Sequence, residues 1–266
     1  MILAGVLLPS APAQDAAPKV DLRHVILTMA RKARPAFEER QVRAELDVLE
    51  LELSARLATK IGGRAKAQAL SDYFFKERKF SASPDLADPT NFYVNEVLAT
   101  KQGYCLSLSA IILSIARRLD LPLQVVACPR HVYLRWDEGE LRLAIETTQG
   151  GAFVDEDSYR SRGITPEAEA AGVFMTPLSD RSLVGYLLNN EGFILWHAGE
   201  TDAAEKRFRA ALGLRSELVE AMINLGVLAG ERGDEAEAEE WFAKAGRWLP
   251  GDEALTWNRA LTDLRA

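Results

Sequence analysis

Residues 181–266 repeat with a period of 34 residues, and this regularity constrains the fold more than any other feature of the chain. A unit of this length forms a pair of antiparallel helices. Small residues lie where the two helices touch, and glycine ends the first helix. The sequence therefore predicts two stacked helical hairpins. The matching pairs are Asn190 with Asn224, Gly192 with Gly226, Gly199 with Gly233, Ala204 with Ala238, Glu205 with Glu239, Phe208 with Phe242 and Ala211 with Ala245.

These positions resemble the tetratricopeptide repeat. Pro250 closes the second unit as that pattern requires, whereas Ser216 replaces proline in the first. Residues 252–265 form half a unit and are predicted to be a solvating cap helix. The resemblance implies a short groove for a protein or peptide partner, although packing between helices, or two unrelated hairpins, would also explain the pattern. The predicted partner-binding residues are Asn189, Phe193, Trp196, His197 and Glu231.

The residues before the repeat predict a core of class α+β that begins with helices. Apolar residues at steps of three and four mark one face of a long helix, which Gly62-Gly63 ends. Asp88-Pro89 has the N-cap and first-turn signature of another helix. Five helices are predicted, over residues 20–34, 36–61, 64–78, 88–101 and 105–119.

Short segments rich in β-forming residues follow the last of these helices. They cover residues 121–127, 131–136 and 140–147, with the turn signal Asp137-Glu138-Gly139 between the last two. They predict a small antiparallel sheet. Beyond it we expect a loop at Gly150-Gly151, a short helix from Thr165-Pro166 and a linker from Pro177 to Asp180. The predicted domains are 18–178 for the core and 181–266 for the repeats.

The N-terminal residues are typical of the end of a secretory signal. Residues 2–8 are apolar, and an Ala-x-Ala site follows at Ala11 and Ala13. We therefore expect residues 1–17 to be a signal remnant and the protein to act in the periplasm or outside the cell. A disordered N-terminus on a cytoplasmic protein is the alternative. No integral membrane segment is expected, because no apolar run approaches the roughly 18 residues of a membrane span.

Charge and scarce residue types exclude several function classes. The net charge of −7 argues against nucleic acid as a partner, because phosphate binding needs a basic face. Two cysteines cannot build a disulfide scaffold or a cysteine-rich zinc site. The three histidines are scattered, so we expect neither a metal site nor a cofactor.

Cys105, His131 and Glu146 are the residues whose setting suits catalysis. Cys105 begins the apolar helix, where free amides and the helix dipole stabilise a thiolate. His131 starts a strand, and Glu146 lies on the partner strand of the hairpin, so the set can supply a nucleophile, a base and an orienting acid. Alternatively, these are a core cysteine, a structural histidine and an exposed carboxylate, with Asp137 and Glu140 as rival acids.

Several motifs in this region resemble the transglutaminase-like superfamily, and more narrowly its bacterial branch with C-terminal tetratricopeptide repeats. The resemblance implies a papain-like core whose Cys-His-Asp triad performs acyl transfer or amide hydrolysis. Cys105 would be the nucleophile, His131 the base and Glu146 the acid, with glutamate in place of the usual aspartate. The motifs are Asn91-Phe92-Tyr93-Val94-Asn95-Glu96-Val97-Leu98, Gly103-Tyr104-Cys105-Leu106-Ser107-Leu108-Ser109, Ala116-Arg117-Arg118-Leu119 and Pro129-Arg130-His131.

The tetrahedral oxyanion would need donors besides the Cys105 amide, and Gln102, Tyr104 and Asn95 are the candidates. Cys128 is predicted to be a buried small residue, with a disulfide to Cys105 as the alternative in an exported protein. The sequence thus predicts a cysteine-dependent acyl-transfer enzyme of protease, amidase or transglutaminase type. A non-catalytic interaction scaffold with a degenerate core is the alternative.

Overall fold

The computed structural model of the chain describes residues 20–34, 36–85 and 88–265. The predicted signal remnant, residues 1–17, lies outside the described residues. The helical start of the core is confirmed, since α1 spans Leu22–Ala33, α2 spans Glu39–Leu57 and α3 spans Gly63–Ser71. The face of α2 predicted from its spacing is the buried one, and it consists of Val42, Leu46, Leu49, Leu53 and Leu57.

Two predicted helices are less regular than their patterns indicated. The third helix continues past Ser71 as a π-helical turn, Asp72–Glu77. The single helix predicted over 88–101 is wrong. Asp88 caps only a 3₁₀ turn, Pro89–Phe92, and the extended backbone of Tyr93 separates that turn from α4, Val94–Thr100.

The central helix α5, Cys105–Arg118, is buried on every side. Helices α1, α2 and α4 pack against one side of it, and strands of the sheet pack against the other. A helix in such a position needs apolar residues around its whole circumference. This explains why its sequence is strongly apolar rather than amphipathic. A short parallel pair, β1 (Ser81–Ala82) with β2 (Gln102–Gly103), precedes it.

The antiparallel sheet has four strands in the order β3-β4-β5-β6. The turn predicted at Asp137-Glu138-Gly139 lies about one residue later in the chain. Glu138 still pairs with Leu141, and Gly139 adopts a φ of 64° within the turn. Strand β6 lies where only a loop was expected. The strands span Leu123–Cys128 (β3), His131–Glu138 (β4), Leu141–Glu146 (β5) and Ala152–Val154 (β6).

The segment expected to be a linker is instead attached to the sheet. The Met175 N–H donates to the Ala127 carbonyl, and the Leu178 N–H donates to the Val125 carbonyl, each at 2.8 Å. Pro177 forms an isolated bridge with Val126. Residues 175–178 therefore cover the outer edge of β3. Two short helices precede this segment, α6 (Asp157–Arg160) and α7 (Pro166–Ala170).

The C-terminal region is helical. Its helices pack as neighbours, α8 with α9 and α10 with α11, followed by α12. Leu183 and Leu187 of α8 belong to the same apolar cluster as α1 and α5, so this region is joined to the core. The helices span Asp180–His197 (α8), Thr201–Leu214 (α9), Val219–Glu231 (α10), Glu235–Gly246 (α11) and Glu253–Arg265 (α12).

The helix pairs α8–α9 and α10–α11 make the same packing contact at corresponding positions. A Cβ added to Gly192 would lie 2.6 Å from a ring carbon of Phe208, and one added to Gly226 would lie 2.5 Å from Phe242. Both distances are shorter than carbon atoms tolerate, so the aromatic ring occupies the space that a side chain would need. Within the described ranges, none of the helices is both long enough and apolar enough to cross a membrane.

The close contact at Gly226 generates a prediction about stability. Gly226→Ala should lower the free energy of unfolding by about 1 to 3 kcal/mol, because the added methyl group displaces the Phe242 ring. Urea denaturation measures the change. Gly213→Ala in α9 is the matched control, since its Cβ would meet open space and alanine favours a helix. Equal effects of the two substitutions would contradict the packing described.

Candidate active site

Cys105 is the first residue of α5, and its thiol is half-buried. The start of the helix is held by Ser107, whose hydroxyl accepts from the Tyr104 N–H at 2.8 Å and donates to the Asn91 carbonyl at 2.8 Å. The first amides of a helix have no partner within it, and the helix dipole is positive at this end. The thiol therefore lies where a negative charge is stabilised.

His131 is the first residue of β4 and follows a two-residue turn, Pro129-Arg130. Its side chain is 11% exposed. Because α5 packs across β3 and β4, the start of the helix lies near the start of the strand, and the Cys105 side chain is close enough to the imidazole to contribute to the raised pKa of His131.

Glu146 ends β5 and is buried, with its side chain only 1% exposed. Its Oε2 lies 2.7 Å from Nε2 of His131 and accepts from the Tyr159 hydroxyl at 2.6 Å. Its Oε1 accepts from the N–H and the hydroxyl of Thr148, at 2.8 and 2.6 Å. Both oxygens are thus satisfied, and the alternative of an exposed strand carboxylate is wrong.

His131 and Glu146 form a strong charge interaction. Burial alone lowers the pKa of His131, but the hydrogen bond and charge of Glu146 and the nearby Cys105 side chain outweigh it and raise the pKa to about 9. Burial alone raises the pKa of Glu146, but the hydrogen bond and charge of His131, with the bonds from Thr148 and Tyr159, lower it to about 2. At neutral pH an imidazolium therefore faces a carboxylate.

An aromatic layer beside the pair was not predicted from the sequence. The Tyr159 ring stacks on His131 with centroids 5.9 Å apart, and on Tyr133 with centroids 4.3 Å apart. The Tyr133 hydroxyl donates to Glu156 at 2.8 Å, and the buried Arg135 pairs with the same carboxylate at 2.5 Å. Tyr159 lies on the four-residue helix α6, which is too short to leave a periodic signal.

The remaining predicted site residues have other surroundings. The rival acids lie at the opposite end of the hairpin, where Asp137 pairs with Arg142 at 3.5 Å and Glu140 is exposed. Both cysteines have free thiols, and Cys128 is the buried one. Its burial raises the pKa of Cys128 to about 12. The disulfide alternative is therefore not what the structure contains.

The oxyanion candidates lie just before Cys105 in the chain. The Tyr104 hydroxyl donates to the Asp88 carbonyl, and the Asn95 amide donates to Glu96 at 3.2 Å. Gln102 lies on β2 and is half-buried. Tyr104 and Asn95 thus have partners elsewhere, whereas the Gln102 side chain has no hydrogen-bond partner among the residues that the structure describes.

The predicted partner-binding residues divide into buried and surface ones. Asn189 is buried and accepts a hydrogen bond from Asn224 at 3.0 Å between α8 and α10. Phe193, 42% exposed, has its ring centroid 4.1 Å from that of His197. Trp196 packs against His197, and its indole N–H donates to Glu231 of α10 at 2.9 Å. Phe193, Trp196, His197 and Glu231 form one surface cluster, which we call the α8 cluster.

No group of three or more His, Cys, Asp or Glu side chains suited to a metal ion occurs among the residues that the structure describes. The candidate site consists of a thiol, an imidazole and a carboxylate. Such a set can form and break a thioester.

Comparison with known families identifies the superfamily of this fold. A family model described as the transglutaminase-like superfamily matches residues 40–189, and the chain belongs to this superfamily. The matched range includes Cys105, His131 and Glu146 and ends within α8.

Curated relatives are distant. The chain is 27% identical over 183 residues to a "UPF0162 protein" of Xylella fastidiosa strain 9a5c, covering 64% of this chain and 65% of that protein. It is 30% identical over 93 residues to human F-box only protein 21, covering 35% of this chain and 13% of that protein. The alignment thus spans just under two thirds of the Xylella protein.

Among solved structures, the fold is similar to that of menin. The TM-score is 0.49 and the identity is 12%, with coverage of 86% of this chain and 66% of menin. At this level of similarity nothing about activity or partners follows for this chain.

The buried pair generates a prediction about stability and pH. Glu146→Gln should lower the free energy of unfolding by about 2 to 4 kcal/mol near pH 6, since it leaves His131 without its counter-charge. Because the pKa of His131 is raised, its protonated form contributes to the free energy of unfolding. That contribution is complete below the ordinary pKa of 6.5 and is lost as the pH rises through about 9. Because the pKa of Glu146 is lowered, its ionised form also stabilises the fold. That contribution is complete above pH 4.5 and is lost as the pH falls through about 2.

The difference between wild type and Glu146→Gln should therefore be largest between pH 4.5 and 6.5 and should narrow above about pH 9. Denaturation at a series of pH values measures it. Asp137→Asn, on the same hairpin but half-exposed, is the control and should cost less than about 1 kcal/mol. A difference that stays constant from pH 6 to about pH 10 would refute the charge pairing.

Proposed function

We propose that the chain is a cysteine-dependent acyl-transfer enzyme of protease, amidase or transglutaminase type. Cys105 is the nucleophile, His131 the general base and acid, and Glu146 the residue that orients the imidazole. The observation that carries this proposal is the buried 2.7 Å contact between His131 and Glu146 beside a thiol at a helix N-terminus. Membership of the transglutaminase-like superfamily supports the same chemistry.

In this proposal the two ring nitrogens of His131 have different roles. Nε2 of His131 is bonded to Glu146, which leaves Nδ1 as the nitrogen for the Cys105 thiol. When Cys105 acts as nucleophile, the proton of its thiol is on Nδ1, and the sulfur attacks as a thiolate beside the imidazolium. Glu146 accepts from Nε2 and stabilises that charge, and Tyr159 and Thr148 hold the carboxylate in place.

In the first half of the reaction, the Cys105 sulfur attacks the carbonyl carbon of an amide, and the carbonyl π electrons move to oxygen. The Cys105 backbone N–H donates to that oxyanion, with Gln102, Tyr104 and Asn95 as the further candidates. The C–N bond then breaks, and the departing amine takes its proton from the His131 imidazolium. A thioester on Cys105 remains.

In the second half, water or an amine attacks the thioester while His131 takes its proton. The C–S bond breaks, and the sulfur leaves as thiolate. Attack by water completes hydrolysis, and attack by an amine completes transfer. His131 is again protonated, so the cycle balances without a metal or cofactor.

The C-terminal helices serve in this proposal as a substrate-recruiting module of two tetratricopeptide repeats and a cap, residues 181–266, joined to a core of residues 18–178. The recurrence of the glycine–phenylalanine contact in both hairpins supports this assignment. The α8 cluster is where a protein or peptide would bind. The signal-like residues 2–13 favour action in the periplasm or outside the cell, which N-terminal sequencing of the mature protein tests.

Alkylation tests the catalytic proposal. With iodoacetamide near pH 7, Cys105 should react at least about tenfold faster than glutathione, because a thiol at a helix N-terminus beside an imidazole is a stronger nucleophile than a free thiol. His131→Ala should remove most of that advantage. Labelling is measured at each cysteine by peptide mass spectrometry.

Two controls are present in the chain. Cys128, buried and with a raised pKa, should stay unlabelled in the folded protein. His24→Ala changes an exposed histidine on α1 and should leave the Cys105 rate unaltered. A Cys105 rate no faster than glutathione, or one indifferent to His131→Ala, would favour the non-catalytic scaffold instead.

The recruiting role makes a separate prediction. Peptides selected from a displayed library against the whole protein should bind Trp196→Ala at least about fivefold more weakly, because a central aromatic contributes strongly to an interface. Trp257→Ala, which changes an exposed tryptophan of α12, is the matched control. Affinity is measured by fluorescence anisotropy. Equal losses with both variants would place the binding surface elsewhere.

A further inference from the structure

The turn that carries His131 is held from outside the sheet. Cys128 ends β3, His131 begins β4, and only Pro129 and Arg130 lie between them. Arg130 has a φ of 57°, in the left-handed region that side chains other than glycine seldom adopt. A residue in that conformation persists when its surroundings make compensating contacts.

Those contacts come from the C-terminal helices. The Arg130 backbone N–H donates to Oε1 of Glu220, in the first turn of α10, at 2.9 Å. The Arg130 guanidinium forms an ion pair with Asp252, just before α12. Asp252 is 5% exposed and also accepts from the Leu255 N–H at 2.9 Å, so it caps α12 and holds the turn together.

Apolar packing at the same place reinforces these polar contacts. Val219 and Met222 of α10 belong to one buried cluster with Cys128 of β3 and Tyr133 of β4. The first turn of α10 is therefore seated against the strands on both sides of the Pro129-Arg130 turn. Movement of α10 or α12 would move the turn with it.

The turn has a direct effect on the imidazole. Glu146 and Tyr159 hold His131 from the side of Nε2, through β5 and α6. The backbone of His131 pairs with Cys128 across this turn, and Arg130 directly precedes it. The distance from Nδ1 to the Cys105 sulfur therefore depends on where the turn is held.

We propose that Arg130, held by Glu220 and Asp252, is a positioning residue that sets the His131 imidazole against Cys105, so that the C-terminal helices are part of the catalytic apparatus. This rests on the proposed cysteine chemistry. It makes the helical region more than a recruiting module, because a ligand that shifts α10 or α12 would alter the reactivity of Cys105.

The test measures iodoacetamide alkylation of Cys105 in the full chain against pH. Arg130→Ala should slow alkylation about tenfold near pH 7, since misplacement of a catalytic group by an ångström is enough for such a loss. Near pH 10 the rate should return to that of wild type, because a thiol then ionises without help. A merely structural role would not produce this change in the pH profile.

Three further variants sharpen the result. Asp252→Asn keeps a good capping residue but removes the charge, and it should slow alkylation as Arg130→Ala does. Arg130→Lys keeps the charge and should restore most of the rate. Glu239→Gln removes a different ion pair of α12, from Glu239 to Arg259 at 2.9 Å, and should leave the rate unchanged. Thermal unfolding measures whether each variant is folded. If Arg130→Ala does not fold, the alkylation rate of Asp252→Asn tests the positioning role instead.

The outcomes separate the two proposals. Fast wild-type alkylation that depends on His131, with Arg130→Ala and Asp252→Asn within twofold of wild type across the pH range, overturns the positioning role and leaves the catalytic proposal standing. Wild-type alkylation no faster than glutathione overturns both. Slowing by Glu239→Gln equal to that by Asp252→Asn also overturns the positioning role, because it would show a general effect of loosening α12.

Discussion

The largely buried hydrogen bond between His131 and Glu146 is the interaction on which the candidate site depends. Two charges are costly to bury unless each is paired and hydrogen bonded. Glu146 meets this requirement through His131, Tyr159 and Thr148, which come from a strand, a short helix and a 3₁₀ turn. The hairpin register, the turn after β5 and the position of α6 are therefore all constrained by one carboxylate.

The second constraint is the burial of α5. Helices lie on one side of it and the sheet on the other, so it cannot slide or rotate without exposing apolar side chains. Its N-terminus is consequently fixed, and with it the Cys105 thiol. A rigid helix end facing a rigid hairpin is a suitable support for a nucleophile and its base, because both are held by packed elements rather than by mobile loops.

The long elements could be predicted from the sequence, and the short ones could not. The apolar spacing of α2 identified its buried face, and the turn signal located the β4–β5 hairpin to within a residue. Strand β6 and the bridge at Pro177 form because an open strand edge lies beside them, and no local pattern records that. The single helix predicted after Asp88 divides because Tyr93 takes an extended conformation.

The sequence by itself determined the α+β class and the helical C-terminal region, and it named Cys105, His131 and Glu146 as candidates beside the rival acids Asp137 and Glu140. It did so because helix starts, strand alternation and turn residues are local properties of the chain. Tertiary structure alone decided that Glu146 rather than Asp137 meets His131, that Tyr159 stacks on that ring, and that Glu220 and Asp252 hold the turn at Arg130. These contacts join residues far apart in the chain, and only packing brings such residues together.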